Sequence, residues 1–323
     1  MKLPELSFLA LMLGILVVAA ASQFYLFYEL RKIKKTLAED SRKTAKYLLR
    51  LGKWVEKTQQ QLDITLLALS QDSKNLESAL RKAMRLRPLR IIPPNLLNDY
   101  TLGGRIPIEN KYRDSMYPPE RPLVYTREII DGYVIQIRER KYRFPRYGQT
   151  NLWLFDALTR HPIQGKEVAV MGSNKPWYES VVLSYGGRCT TIEYNPIRSL
   201  HPGVRTMTPA EYDRNPEQFD AALSISSFEH DGLGRYGDPL NPKGDFEAMK
   251  KMKSILKPGG LLFLAVPVGL DSLQWNAHRV YGRLRLPLLL EGWQLVESFG
   301  FDEKILDRAK NTFEPVFVLK NTP

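Results

Sequence analysis

The sequence has only one cysteine, Cys189, among its 323 residues. A single cysteine excludes an internal disulfide framework and any metal site built from several cysteines. Glycine (21) and proline (22) occur at about their average frequencies, which excludes a collagen-like or linker-like chain. Charged residues at 25% and hydrophobic residues at 43% are near the globular average, which excludes wholesale disorder. The length allows one large domain with an appendage, or two small domains.

The positive charge of the chain is concentrated in one segment. Lys and Arg number 47 against 35 Asp and Glu, a formal net charge of +12, which suggests nucleic acid or an anionic membrane as a partner. Residues 31–90 carry +10 of this charge, residues 91–323 carry +3, and residues 1–30 carry −1. The excess positive charge therefore indicates what residues 31–90 contact, and it says little about the rest of the chain.

Residues 6–28 contain no charged side chain and follow a short tail, 1–5. At about 1.5 Å per residue, a helix of this length is roughly 34 Å long, which is enough to span a bilayer core of about 30 Å. The sequence therefore predicts a single-pass transmembrane helix at 6–28. A cleaved signal peptide ending near Ala21 is the alternative, but the apolar run continues to Tyr28, which is longer than a signal requires.

The orientation of the predicted span follows from its flanking basic residues. Only Lys2 precedes the span, whereas seven basic residues lie between Arg31 and Lys46. The positive-inside rule places the body of the chain in the cytoplasm. The absence of any Asn-x-Ser/Thr glycosylation sequon agrees with this orientation. A lumenal orientation, in the endoplasmic reticulum or Golgi, is the alternative.

Residues 29–90 are predicted to form a basic helical stalk. They contain no proline before Pro88 and are rich in strong helix formers. Apolar residues recur three or four positions apart, as in a coiled coil with one slip, and such a seam could support a homodimer. Two interpretations stay open: the basic side lies against anionic lipid headgroups, or the apolar stripe packs on the chain's own globular domain. No nucleic-acid-binding motif accompanies the charge, so we expect no nucleic-acid partner.

The remainder divides into an extension and a domain with alternating strands and helices. Residues 91–149 are rich in Tyr, Arg and Pro and predict irregular structure with one short strand at 133–138. From residue 150 to 323 the pattern is α/β, which predicts a doubly wound, mostly parallel sheet. Strands are predicted at 167–171, 189–192, 204–207, 220–224, 261–266, 294–298 and 315–319. Helices are predicted at 152–160, 176–185, 246–256 and from 286.

Ligands of such sheets bind outside the carboxyl ends of the strands, at the point where the strand order reverses. The residues that follow the predicted strands are Gly172, Ser173 and Asn174 after the first, Glu193 after the second, and Ser224 with His230 and Asp231 at the fourth. Glu193 lies 21 positions after Gly172, the spacing at which an acidic residue binds ribose hydroxyls. An exposed glutamate without a ligand is the alternative for Glu193. No metal-ligand spacing is specific enough to predict a metal site.

Four strings resemble the Rossmann-like S-adenosylmethionine-dependent methyltransferases: Val168–Gly172, Thr190–Pro196, Phe219–His230 and Leu256–Leu264. More narrowly, His230–Pro239 and Trp275–Gly282 resemble an uncharacterised family, domain of unknown function 268. The resemblance implies a methyltransferase-like fold with S-adenosylmethionine as cofactor, but no established activity. We expect Gly172, Ser173, Asn174, Glu193 and Ser224 to bind that cofactor.

The sequence departs from the methyltransferase pattern at the first strand. The family's acidic residue two positions before the first glycine is Val170 here, and Gly172 alone remains of the G-x-G-x-G loop. Two functions stay open: a membrane-anchored methyltransferase acting on a hydroxyl or similar acceptor, and a catalytically inactive, membrane-tethered scaffold. In the first, His230 would act as general base beside Asp231. A lumenal sugar-modifying enzyme is a third, less favoured interpretation.

Overall fold

The computed structural model describes residues 88–115, 123–144, 147–308 and 313–322. The predicted tail, the membrane span and the stalk up to residue 87 lie outside these ranges and stay predictions. In the ranges that are described, no helix is both long enough and apolar enough to cross a membrane.

The centre of the domain is a seven-stranded sheet. Its strands are β3 (Glu167–Met171), β4 (Arg188–Ile192), β6 (Val204–Met207), β7 (Phe219–Ile225), β8 (Leu256–Ala265), β11 (Gln294–Phe299) and β12 (Val316–Lys320). They lie in the order β11-β12-β8-β7-β3-β4-β6. The five strands from β8 to β6 are parallel to one another. Strand β12 pairs antiparallel with β8, and β11 pairs antiparallel with β12. The mostly parallel α/β sheet predicted from the sequence is confirmed.

Both faces of the central strands β3, β7, β8 and β12 are buried, which accounts for their uninterrupted apolar runs. Because successive side chains of a strand point to opposite faces, Val168 and Val170 of β3 lie in one hydrophobic cluster and Ala169 lies in another. The helices of this part are α3 (Gly148–Arg160), α4 (Trp177–Ser184), α5 (Pro209–Arg214), α6 (Gly244–Ile255) and α7 (Arg285–Leu289). A 3₁₀ turn, Phe228–His230, follows β7, and another covers Glu303–Asp307.

The path of the chain places a crevice between β3 and β7. From β3 the chain proceeds outward to β4 and β6, and it then returns to β7 and β8 on the other side of β3. At this reversal the loops that leave β3 and β7 diverge at the carboxyl ends of the strands, which is where α/β sheets bind ligands.

The extension at residues 91–149 is more ordered than predicted. It contains α1 (Pro94–Tyr100), β1 (Ile108–Asn110), β2 (Leu123–Tyr125) and α2 (Arg127–Arg138). Strand β1 pairs with β9 (Ser272–Trp275), which also pairs with β10 (His278–Val280), and β2 pairs with β5 (Ile197–Ser199). The extension therefore adds two small sheets to the domain.

The strand predicted at 133–138 is wrong, because these residues belong to α2. Ile130, Val134 and Ile137 are buried at spacings of four and three, which is the period of a helix packed on a core. Thr126 caps the helix by accepting a hydrogen bond from the Ile129 N–H. The β-branched residues that favour a strand are here the buried face of a helix, so tertiary packing decides the local structure.

Candidate functional site

A cavity of about 650 Å³ lies at the carboxyl ends of β3, β4 and β7. Its size is within the roughly 300–1,000 Å³ typical of small-molecule sites. Six of the seven predicted site residues line it: Gly172, Ser173, Asn174, Glu193, His230 and Asp231. The structure therefore brings together residues that the sequence places in three separate loops.

Ser224 is the exception among the predicted site residues. Its side chain is fully buried inside β7, because the strand continues to Ile225 rather than ending at residue 224. Ser226 and Ser227, just beyond the strand, line the cavity instead. The serines at this edge of the cavity are therefore Ser226 and Ser227, two and three residues after the predicted Ser224.

The turn after β3 depends on glycine at one position. Gly172 has a φ of +76°, and a Cβ added there would overlap Oγ of Ser227 at the end of β7. Ser173 is held in place, because its N–H donates to Oε2 of Glu193 (2.9 Å) and its Oγ lies 2.8 Å from the Tyr125 hydroxyl. Asn174 and Lys175, which replace the remaining glycines of the methyltransferase pattern, are exposed at the cavity.

Glu193 is fixed in orientation by the backbone around it. Oε1 accepts from the N–H of Asn195 (2.9 Å) and from its side-chain amide (3.3 Å), and Oε2 accepts from Ser173. Burial raises the pKa of Glu193 from its ordinary value, and these hydrogen bonds oppose the rise. A carboxylate has about four acceptor positions. Asn195, Ser173 and the backbone of Tyr194 thus contribute hydrogen bonds to this carboxylate, which also lines the cavity.

His230 ends the 3₁₀ turn after β7 and is oriented as a neutral base would be. Its Nδ1–H donates to the Ala277 carbonyl (2.7 Å), so in the neutral ring the lone pair is on Nε2. Nε2 lies 3.5 Å from Oε1 of Glu229. Arg235 donates to the same Ala277 carbonyl (3.0 Å), and the ring of Tyr236 packs edge-on against the imidazole. Together these contacts fix the plane of the ring.

Asp231 lines the cavity beside His230. Burial raises its pKa well above the ordinary value, and repulsion from Asp238 adds to the rise while Arg279 opposes it. The backbone carbonyl of Asp231 accepts from the Arg279 guanidinium (2.6 Å). The role of Asp231 beside His230 as a catalytic pair stays a prediction.

Three further residues line the cavity: Ser226, in the segment after the fourth predicted strand, and Tyr147 and Glu314, which no sequence pattern indicates. Oγ of Ser226 lies 2.8 Å from the Tyr147 hydroxyl and 2.6 Å from Oε1 of Glu229. Tyr147 and Ser226 both have a φ of +52°, a conformation that costs free energy in residues other than glycine and is frequent at functional sites. Glu229 is fully buried. Its pKa is raised to about 8 by burial and by the nearby Glu314 carboxylate.

Within the ranges that are described, no group of three or more His, Cys, Asp or Glu side chains is placed to hold a metal ion.

Residues 165–312 match the model of a family described as Caenorhabditis protein of unknown function, DUF268. No curated protein matches the sequence. Several solved structures are similar to the chain at low identity. One is the 1,6-didemethyltoxoflavin-N1-methyltransferase of Burkholderia thailandensis, 15% identical with a TM-score of 0.42, over 60% of this chain and 87% of that one.

A second similar structure is the N-methyltransferase NodS of Bradyrhizobium japonicum WM9 (14% identical, TM-score 0.37, 58% of this chain and 98% of that one). A third is a putative sarcosine dimethylglycine methyltransferase of Galdieria sulphuraria (12% identical, TM-score 0.39, 54% of this chain and 86% of that one). The family match agrees with the narrower resemblance stated from the sequence, to domain of unknown function 268. Residues 165–312 contain six of the seven strands of the mostly parallel α/β sheet described above.

Proposed function

We propose that the domain binds S-adenosylmethionine in the cavity and transfers its methyl group to a hydroxyl or similar acceptor. The observation that carries the proposal is the open cavity at the reversal of strand order, with the half-buried Glu193 carboxylate in its lining.

The residues at the cavity fit this cofactor. Glu193 would accept a hydrogen bond from a ribose hydroxyl, and the exposed amide of Asn174 would bind the carboxylate of the methionine portion. Gly172 keeps the space between β3 and β7 open, since any side chain there would overlap Ser227. When bound, the cofactor would supply an electrophilic methyl group.

His230 would prepare the acceptor for the transfer. The hydrogen bond from Nδ1 to Ala277 leaves Nε2 able to take the proton of a hydroxyl as its oxygen becomes nucleophilic. The same hydrogen bond stabilises the imidazolium that results, because the positive charge strengthens the N–H donor.

Changing Glu193 to Gln is expected to weaken the binding of S-adenosylhomocysteine by about tenfold or more. The glutamine NH2 group would face the N–H of Ser173 or of Asn195, so one acceptor is replaced by a donor and the carboxylate loses the charge and the fixed orientation with which it would bind ribose. Isothermal titration calorimetry of the full-length chain in detergent measures the change.

Changing Glu291 to Gln is the control for the Glu193 variant, because Glu291 is exposed and does not line the cavity. Its affinity for S-adenosylhomocysteine should equal that of the wild type. An unchanged affinity of the Glu193 variant would contradict the proposed ribose contact.

A second candidate function is a catalytically inactive, membrane-tethered scaffold. Val170, which occupies the acidic position of the methyltransferase pattern, is part of the hydrophobic core (1% exposed), and this observation favours the scaffold. Calorimetry separates the two candidates, since the scaffold gives no heat with S-adenosylmethionine or S-adenosylhomocysteine.

We propose further that residues 6–28 anchor the chain in a membrane, with the stalk of residues 29–90 against anionic headgroups and the domain in the cytoplasm. The charge of +10 in residues 31–90 supports this arrangement. The full-length chain should stay with membranes after alkaline carbonate extraction, and a chain beginning at residue 29 should be released. Protease added to sealed microsomes should digest the domain, whereas protection would favour the lumenal orientation.

A further inference from the structure

We propose that the inner end of the cavity, formed by Tyr147, Ser226, Glu229 and Glu314, binds a cationic amine carried by the acceptor. We call these four residues the inner subsite. The inference rests on the proposed function, which assigns this cavity to the acceptor. It adds that the acceptor carries a positively charged group, which these residues recognise.

The first observation is an unused acceptor atom. Glu229 is fully buried and lines the cavity. Oε1 accepts a hydrogen bond from Oγ of Ser226 (2.6 Å). Within the described ranges, no donor reaches Oε2. When the carboxyl is ionised, a ligand that donates a hydrogen bond to Oε2 would give this buried atom a partner.

The second observation is the charge around that atom. The carboxylates that line the cavity are Glu193, Glu229, Asp231, Asp238, Glu247 and Glu314, and the Lys and Arg residues that line it are Lys175, Arg235 and Lys251. The cavity is thus rich in acidic groups, although the chain as a whole carries +12. Glu314 is close enough to Glu229 to raise its pKa by repulsion. A cation between the two carboxyl groups would replace this repulsion with attraction.

The third observation is the aromatic lining. The rings of Tyr147 and Tyr178 border the same cavity, and the ring of Tyr236, which borders it too, faces the Arg235 guanidinium. The faces of such rings attract ammonium groups by a cation–π interaction. An ammonium has three N–H donors: one would bind Oε2 of Glu229, and the others could reach Glu314 and the Tyr147 hydroxyl.

The subsite and the base are near neighbours. Because Nε2 of His230 lies 3.5 Å from Oε1 of Glu229, an amine bound at Glu229 would hold a hydroxyl a few bonds away beside the imidazole. An acceptor with an amine close to its hydroxyl therefore fits both groups.

Binding of an ammonium should depend on the ionisation of Glu229. Burial and the nearby Glu314 carboxylate raise the pKa of Glu229 and so favour its protonated form, and pairing with an ammonium would therefore release a proton to the buffer. The groups that face Glu229 are Tyr147 of α3, His230 and Asp231 of its own segment, Arg235 of the next loop, Arg279 of β10, Tyr281 after it, and Glu314 before β12. Amine affinity should rise with pH, by up to tenfold per unit below pH 8.

The test compares two probes that differ only in the charged group, 2-phenylethylamine and 2-phenylethanol, by calorimetry on the full-length chain in detergent. We expect the amine to bind about tenfold or more tightly than the alcohol at pH 8. Repeating the titration at pH 7 in buffers of different ionisation enthalpy should show net proton release with the amine.

Two variants locate the effect. Glu229→Gln should abolish both the preference for the amine and its pH dependence. Glu179→Gln is the matched control, because Glu179 is equally buried with a pKa raised to about 7 by burial, but it does not line the cavity. It should keep the preference.

Equal binding of the two probes, no binding of either, or a preference that survives in Glu229→Gln would each overturn the inner subsite. So would the loss of the preference in Glu179→Gln. The cofactor proposal is tested separately on the same samples by the binding of S-adenosylhomocysteine. It fails only if that ligand does not bind.

Discussion

Changing Asp245 to Asn is expected to lower the free energy of unfolding by about 3–5 kcal/mol. Asp245 is fully buried at the start of α6 and forms two hydrogen bonds with the Arg285 guanidinium, at 2.9 and 2.7 Å. Its Oδ2 also accepts from the Tyr281 hydroxyl (3.0 Å) and lies 3.8 Å from Nε of Arg279. The asparagine would remove the carboxylate that pairs directly with the buried Arg285 guanidinium and lies beside that of Arg279. Urea denaturation followed by circular dichroism measures the loss.

The chain offers a control with the same geometry at the surface. Asp307 forms two hydrogen bonds with Arg283, at 2.9 and 2.8 Å, but both side chains are more than half exposed. Asp307→Asn should therefore have only a small effect on stability, because exposed ion pairs contribute little. Equal losses in the two variants would contradict the argument from burial.

The contribution of Asp245 should also depend on pH. Burial by itself would raise the pKa of Asp245, but the charges of Arg279 and Arg285 outweigh it and hold the pKa below its ordinary value. A lowered pKa means that the contribution is complete above the pKa of a free aspartate, about 3.9, and is lost as the pH falls further. The difference in stability between wild type and Asp245→Asn should therefore be constant near neutral pH and shrink below pH 4.

The same cluster supports the wall of the cavity. Arg279 donates to the backbone carbonyls of Asp231 (2.6 Å) and Asn241 (3.3 Å), the two ends of the loop that contains Arg235 and Asp238. Asp245→Asn should therefore loosen this loop as well, and hydrogen exchange of its amides should become faster.

Changing Gly172 to Ala should reduce the affinity for S-adenosylhomocysteine by more than tenfold. The added methyl group would overlap Oγ of Ser227 and approach Oε2 of Glu193 at 3.8 Å, in a backbone with φ +76°. The left-handed conformation alone costs about 1–2 kcal/mol in an alanine. Relief of the overlap must displace the end of β7 or the turn after β3, and both line the cavity.

Gly165→Ala separates backbone strain from the overlap. Gly165 has a similar φ of +70°, but an added Cβ meets no atom within 4 Å. This variant should lose stability through strain and keep the affinity of the wild type for S-adenosylhomocysteine. Calorimetry on both variants makes the comparison, and an equal loss of affinity in the two would show that the overlap at Gly172 does not matter.

The sheet could be predicted because its signals are local. The apolar run at 261–266 and the short runs at 167–171 and 204–207 are bounded by turn residues, and each lies in a strand of the structure. Residues buried on both faces of a parallel sheet need no alternation of polar and apolar side chains, so length and flanking turns suffice to identify them.

Helix α2 could not be predicted in the same way. Tyr133 to Arg138 contains β-branched and aromatic residues that favour strands. The helical period appears only when Ile130 is included, and the partner that buries this face, α4, lies some 50 residues later in the chain. The choice between helix and strand is made there by packing, which no local pattern displays.

The site shows the same division between local and distant signals. Gly172 and Glu193 could be predicted, because each follows directly after a strand. Tyr147 and Glu314 come from the start of α3 and from the segment before β12, so only the folded chain places them beside Glu229. Ser224 was wrongly assigned because β7 extends one residue further than its apolar pattern indicates.

Photo-crosslinking tests the central claim, a cofactor site at the ends of β3, β4 and β7, most directly. The full-length chain is irradiated with S-adenosylmethionine labelled in its methyl group, and the labelled peptides are identified by mass spectrometry. The account predicts label within residues 171–195 or 225–241, removed by excess S-adenosylhomocysteine. Label confined to other residues, or no label that S-adenosylhomocysteine displaces, would contradict it.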